Sequence, residues 1–211
     1  MNETLREKLP LAICVLAVLV LAGRFLFGGS SDASLTSIDP NKRLIALEGL
    51  WHSDSDKARE NLRKMTADPD ERVVLQSIRG MGHNRDSTNR QQLQSFTAVD
   101  RPPLFRREAL AALGNYEDVP VAQFVSVLST ERDPQVRIGA AQALARRADK
   151  SSIPAMYKAL TDPEPEVRIW AITGIKNVTY TGFMYEASLP PQEQREVIQQ
   201  IGAYLRKNGF M

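Results

Sequence analysis

The chain has 211 residues, 43% hydrophobic and 25% charged, which fits one globular domain plus an appendage and argues against wholesale disorder. A single cysteine excludes an internal disulfide framework and a cysteine-based zinc cluster, and two histidines leave little for a His-rich metal site. Net charge is +2 on 27 basic and 25 acidic residues, without the basic excess of a nucleic-acid binder, so no nucleic-acid partner is expected.

Residues 1–8 form a short tail, and residues 9–27, LPLAICVLAVLVLAGRFLF, read as a single transmembrane helix in contact with lipid. At about 1.5 Å per residue the segment spans about 28 Å, close to the hydrocarbon thickness of a bilayer. Arg24 sits near one end, where its side chain can snorkel to the headgroups. A cleaved signal peptide is the rival reading, with Val20-Leu21-Ala22 as a passable cleavage site. The apolar character of Val20 and Leu21 and the return of hydrophobicity after Arg24 favour an uncleaved anchor. A lipoprotein signal fails because bulky Ile13 precedes Cys14 and the apolar run continues, so Cys14 reads as a small apolar residue in the span. Arg6 and Lys8 precede the span and only Arg24 follows closely, which favours a cytoplasmic N-terminus and an extracytoplasmic body, periplasmic in a bacterium. Residues 28–38, opening Gly28-Gly29-Ser30-Ser31, read as a flexible linker.

The remainder, residues 39–211, repeats itself. KRLIALEGL at Lys42, VVLQSIRGM at Val73, FRREALAAL at Phe105, VRIGAAQAL at Val136 and VRIWAITGI at Val167 align from anchors spaced 31, 32, 31 and 31 residues apart. This divides the domain into repeats at about 39–67, 68–99, 100–132, 133–161 and 162–211. Four anchors follow an Asp-Pro pair headed by Asp39, Asp68, Asp133 and Asp162, which reads as an N-cap followed by a proline in the first turn. Small residues stand four places after the anchor (Ala46, Ser77, Ala109, Ala140, Ala171). Apolar residues stand mostly five and eight places after it, ending in Leu50, Met81, Leu113, Leu144 and Ile175. These offsets share one helical face, the buried stripe of a first helix. Second helices are expected at about 54–66, 87–98, 119–130, 151–160 and 191–207, with no strand anywhere.

At these columns the sequence resembles the HEAT-repeat family, in the short form found in bacterial repeat proteins and phycobilisome lyases. The motif has the form Asp-Pro-x-x-Val-Arg-x-x-Ala-x-x-Ala-Leu-Gly. DPQVRIGAAQALA at 133–145 is the best copy and DPEPEVRIWAITGI at 162–175 the next, with Lys42 and Val74 departing from the pattern. The resemblance implies an all-α fold, an α-solenoid of about five helix pairs. It says little about function, because such repeats hold many partners.

Arg43, Arg106, Arg137 and Arg168 form a column with two readings. One is a basic ladder for an anionic partner. The favoured one is a structural ladder in which each arginine meets a nearby carboxylate or a helix-end carbonyl. His52 and His83 share another column, ten places after their anchors, and stacked helices would hold them about 10 Å apart, too far for a shared metal. The final turn expands to about 176–194 and holds Tyr180, Phe183, Met184 and Tyr185. It reads either as a cap folded over the end of the stack, covering Trp170, or as a partner-binding loop. Asn177-Val178-Thr179 matches a glycosylation sequon, which means little outside a secretory pathway.

No Gly-rich phosphate loop or nucleophile elbow is present in the sequence, and with Cys14 in the membrane span Cys–His catalysis is excluded too, so neither enzyme activity, nor a cofactor, nor a small-molecule substrate is expected. The favoured function is a membrane-anchored protein-interaction scaffold, an accessory or assembly subunit of a membrane complex. The alternatives are a phycobilisome-lyase-like chromophore enzyme and a secreted repeat module with a cleaved signal.

Overall fold

The computed structural model describes residues 34–211. Ten α-helices lie wholly within these residues, with no strand among them. No described helix is long and apolar enough to cross a membrane; the candidate span at 9–27 lies outside the described residues.

Contacts divide the chain into two units, the first ending at Gly49 and the second running from Leu50 to Met211. Helix α1 (Pro40–Leu50) forms most of the described part of the first. Its start is fixed locally: the Asp39 carboxylate accepts from the Asn41 amide at 2.9 Å. Arg43 is buried, and its guanidinium donates to the Ser37 and Ile38 carbonyls at 2.7 and 3.2 Å. Leu35, within the segment expected as linker, is also buried, whereas the Ile38 side chain stands exposed.

The second unit contains α2 (Asp56–Met65), α3 (Glu71–His83), α4 (Ser87–Phe96), α5 (Pro103–Leu113), α6 (Val121–Thr130), α7 (Pro134–Arg147), α8 (Ile153–Ala159), α9 (Pro165–Thr179) and α10 (Arg195–Lys207). One-turn 3₁₀ segments at Lys150–Ser152 and Pro191–Gln194 precede α8 and α10. The odd-numbered helices α3, α5, α7 and α9 pack side by side in sequence order, as a solenoid requires. Each even-numbered helix packs mainly on the odd-numbered helix that follows it: α2 on α3, α4 on α5, α6 on α7 and α8 on α9. The hairpin unit is thus a second helix with the next first helix, one helix out of phase with the expected repeats.

The stripe at offsets four, five and eight is buried in every copy, from Ala46 and Leu47 to Ile172 and Ile175. Close approach is made by missing side chains. A Cβ on Gly82 would lie 2.9 Å from the Cα of Ala112, and one on Gly114 would lie 2.7 Å from the Cα of Ala143. An amide ladder then crosses the odd-numbered helices. Asn115 donates to the Gly82 carbonyl at 3.0 Å and Asn177 to the Ala145 carbonyl at 2.9 Å, each about one repeat back. The Asn177 amide of the sequon is therefore occupied by the fold.

The capping expectation fails in two repeats. Asp133 caps α7 through the Gln135 amide at 2.8 Å. Asp68 and Asp162 lie two residues too far upstream, five places before their anchors rather than three. The caps are Asp70 for α3 and Glu164 for α9. Asp68 and Asp162 instead accept from the Asp70 and Glu164 amides, both at 2.9 Å, and so shape the turn leading to the cap.

Candidate functional site

The arginine column is spent on the fold. Arg106 is buried, ion-pairs with Glu131 and donates to the Thr97 carbonyl at 3.4 Å. Arg137 makes a fork to Asp162 at 2.8 and 2.9 Å and donates to the Arg132 carbonyl at 2.7 Å. Arg168, 3% exposed, donates to the Asp162 and Pro163 carbonyls at 2.7 and 3.0 Å, twice to Ala187, and to Leu189 at 3.3 Å. In these three, one guanidinium ties a first helix to the end of the second helix before it or to the turn beyond. This explains the observed pairing of helices.

Burial alone would push the Glu131 carboxyl up, but the Arg106 hydrogen bond and the Asp133 and Arg132 amides outweigh it and hold it below the usual carboxylate range. A lowered carboxylate stabilises the fold above its unfolded value and loses that contribution as pH falls through its folded value. Glu131→Gln is expected to cost about 1–2 kcal/mol at pH 7, and thermal melts at falling pH should show that difference shrink as the Glu131 carboxyl takes up its proton.

Part of the C-terminal loop packs on the fold and part stands in solvent. Helix α9 runs to Thr179, so the loop proper begins at Tyr180, not at 176. Tyr185 is buried and its hydroxyl donates to the Leu160 carbonyl at 2.6 Å. Phe183 is half-buried, edge-on to Tyr204 with ring centroids 5.4 Å apart. Gln194, buried and not singled out from sequence, accepts from the Glu186 amide at 2.6 Å and donates to the Glu186 and Leu189 carbonyls, which closes the loop. Trp170 is half-buried on α9, and no loop ring stacks on it. Tyr180 and Met184 are 94% and 92% exposed.

Tyr180 is also strained. It ends α9 at φ 54°, a left-handed conformation that costs a bulky residue about 1–2 kcal/mol. Tyr180→Gly relieves this but adds freedom to the unfolded chain, so a net gain of about 0.5–1 kcal/mol is expected, a rise of about 1–4 °C in Tm. Differential scanning calorimetry checks it.

A second site lies on the exposed face of α3, α5 and α7. It is a groove of about 270 Å³ lined by Trp51, Arg79, His83, Arg107, Glu108, Ala111, Ala112, Asn115, Gln142 and Arg146. Trp51 and His83 stack with centroids 5.0 Å apart and planes 13° from parallel. The Trp51 ring packs where a side chain on Gly80 would stand: a Cβ there would be 2.7 Å from the indole Nε1. That buried N–H has no acceptor among the described residues. His52 meets His83 edge-on at 5.8 Å between centroids, much closer than the 10 Å expected, because adjacent helix ends converge here. Among the described residues no cluster of three or more His, Cys, Asp or Glu could hold a metal.

Burial, then His52, then Arg146 hold the His83 imidazole below its ordinary range, so it carries little charge at neutral pH. Arg79 forks to Glu108 at 2.8 and 3.0 Å. Arg107 donates to Gln135 at 2.8 Å and pairs with Glu166. Among the described residues Arg146 donates only to the Ala111 carbonyl, at 3.0 Å, and faces no carboxylate within ion-pair range.

The column ten places after the anchor, His52, His83, Asn115, Arg146 and Asn177, crosses the ends of the odd-numbered helices, and its central members line the groove. Only its two histidines stood out in the sequence. The full column was a readable signal.

A helix stack closed by arginine staples is the architecture of a helical-repeat protein. The HEAT repeats family matches residues 32–114 and 121–195, and the chain belongs to that family. The gap between the two matched segments falls between α5 and α6, where the structure also divides one hairpin from the next. No curated protein matches the chain in sequence. Family membership points to a protein-interaction scaffold.

Proposed function

We propose that the protein is a membrane-tethered, non-catalytic scaffold that presents its repeats outside the cytoplasm and holds a subunit of a membrane complex. The apolar segment 9–27 and the basic residues before it support the tether and its orientation. The observation that carries the binding role is the pair Tyr180 and Met184. Both large side chains stand almost fully exposed on a loop that Arg168, Tyr185 and Gln194 fasten to the fold. A large aromatic side chain at a strained, solvent-facing position fits a docking residue.

Membrane fractions should retain the full chain through alkaline carbonate, and Ser188→Cys should react with a membrane-impermeant maleimide in intact cells. Release by carbonate, or labelling only after lysis, contradicts the tether or its orientation. The double variant Tyr180→Ala, Met184→Ala should melt no lower than the unaltered protein yet lose most of its co-purified partner in mild detergent, by about tenfold or more. Unchanged partner recovery contradicts the role given to the loop.

A further inference from the structure

We infer that the groove between α3, α5 and α7 is a second docking site that takes an acidic peptide segment of a protein partner, with a carboxylate on Arg146 and flanking apolar chain on the Trp51–His83 stack. The inference rests on the scaffold reading and names the chemistry of what this face holds. Three arginines and one glutamate line the groove, so it attracts negative charge overall. Two of those arginines are already matched, Arg79 by Glu108 and Arg107 by Glu166. Arg146 is the cation left over, exposed and oriented by a single carbonyl. A guanidinium held at one edge keeps its remaining donors for a carboxylate fork.

The other walls fit peptide rather than nucleic acid. Gln142, one turn before Arg146 on α7, makes no side-chain hydrogen bond with any described residue, and its amide can match both a peptide N–H and a carbonyl. Ala111 and Ala112 leave room beside it. Trp51 over His83 offers a flat apolar wall to a proline or aliphatic side chain. Glu108 stands among the arginines, which disfavours a polyphosphate backbone but leaves room for one carboxylate.

The test is selection of random dodecamer peptides on the full-length protein in nanodiscs at low ionic strength. The best binder is then measured by fluorescence anisotropy beside a copy with its Asp and Glu changed to Asn and Gln. Selected peptides should be rich in Asp and Glu, and the neutralised copy should bind about tenfold or more weaker. Arg146→Gln should weaken the acidic peptide by a similar factor, Arg146→Lys by less, and the exposed control Arg132→Gln not at all. Trp51 emission should shift on binding. Peptides without acidic residues, affinity unchanged by a folded Arg146→Gln, or displacement of the peptide by single-stranded DNA at lower concentration would each overturn the inference. The scaffold reading is separable: Tyr180→Ala with Met184→Ala should leave peptide affinity unchanged. If that pair abolishes partner recovery and Arg146→Gln does not alter it, the groove inference fails and the scaffold reading stands.

Discussion

Arg168→Ala should destabilise the protein by about 4 kcal/mol, a fall of roughly 10 °C in Tm, the largest loss expected from any arginine in the chain. Arg168 is nearly inaccessible, and its donors reach four carbonyls on two separate turns, those of Asp162 and Pro163 before α9 and those of Ala187 and Leu189 in the C-terminal loop. Truncation removes every one of those bonds and leaves the buried Ala187 carbonyl, which accepted two of them, without a partner, at about 1–3 kcal/mol, with the three part-buried bonds lost besides. Arg168→Lys should recover less than half of the loss, because one ammonium cannot span both turns. The loop should then be cut by protease near Met184 long before the helices are. Urea titration of Arg168→Ala beside the exposed control Arg132→Ala checks the figure; a difference under 1 kcal/mol between them contradicts it.

The same Gly→Ala change should have opposite signs at two helical glycines. Gly139 sits where α7 crosses α5, and an added Cβ would lie 2.8 Å from the Cα and 2.9 Å from the carbonyl carbon of Arg107. Backbone cannot swing aside as a side chain can, so α5 and α7 must separate along their length. That outweighs the roughly 1 kcal/mol gained in helix propensity, and a net loss of about 2–3 kcal/mol is expected. Gly49, exposed near the end of α1, has nothing within 4 Å of its added Cβ. Gly49→Ala should stabilise by about 0.5–1 kcal/mol. Thermal melts of the two variants side by side test the pair, and equal shifts would contradict the packing described.

The helix count and the buried stripe were legible because a period of about 31 residues puts the same side chain in the same environment five times. Ala46, Ser77, Ala109, Ala140 and Ala171 are all buried, as one small column predicts. The phase of the hairpins was not legible. Packing of α6 on α7 rather than on α5 depends on Arg137 reaching back to carbonyls at 131 and 132, which hydrophobic period does not encode. Asp68 and Asp162 misled for a related reason: the dipeptide Asp-Pro marks a turn, and its distance to the anchor decides which carboxylate becomes the cap. The groove was harder still. Its lining comes from residues about 30 apart, and only the column of His83, Asn115 and Arg146 hinted that helix ends converge. The aromatic loop was visible as an irregularity in length, but which rings fold inward depends on Leu160 and Tyr204, both distant in the chain.

The central claim, a scaffold that works at a membrane, is tested most directly by purifying the tagged full-length chain from its native membrane in mild detergent, beside a chain that starts at Ser30. The account predicts a stoichiometric set of membrane-complex subunits with the full-length chain, and a reduced set with the shortened one. Recovery of the protein alone, from the soluble fraction and with its N-terminus near Gly23, would contradict the tether and leave a secreted binding module.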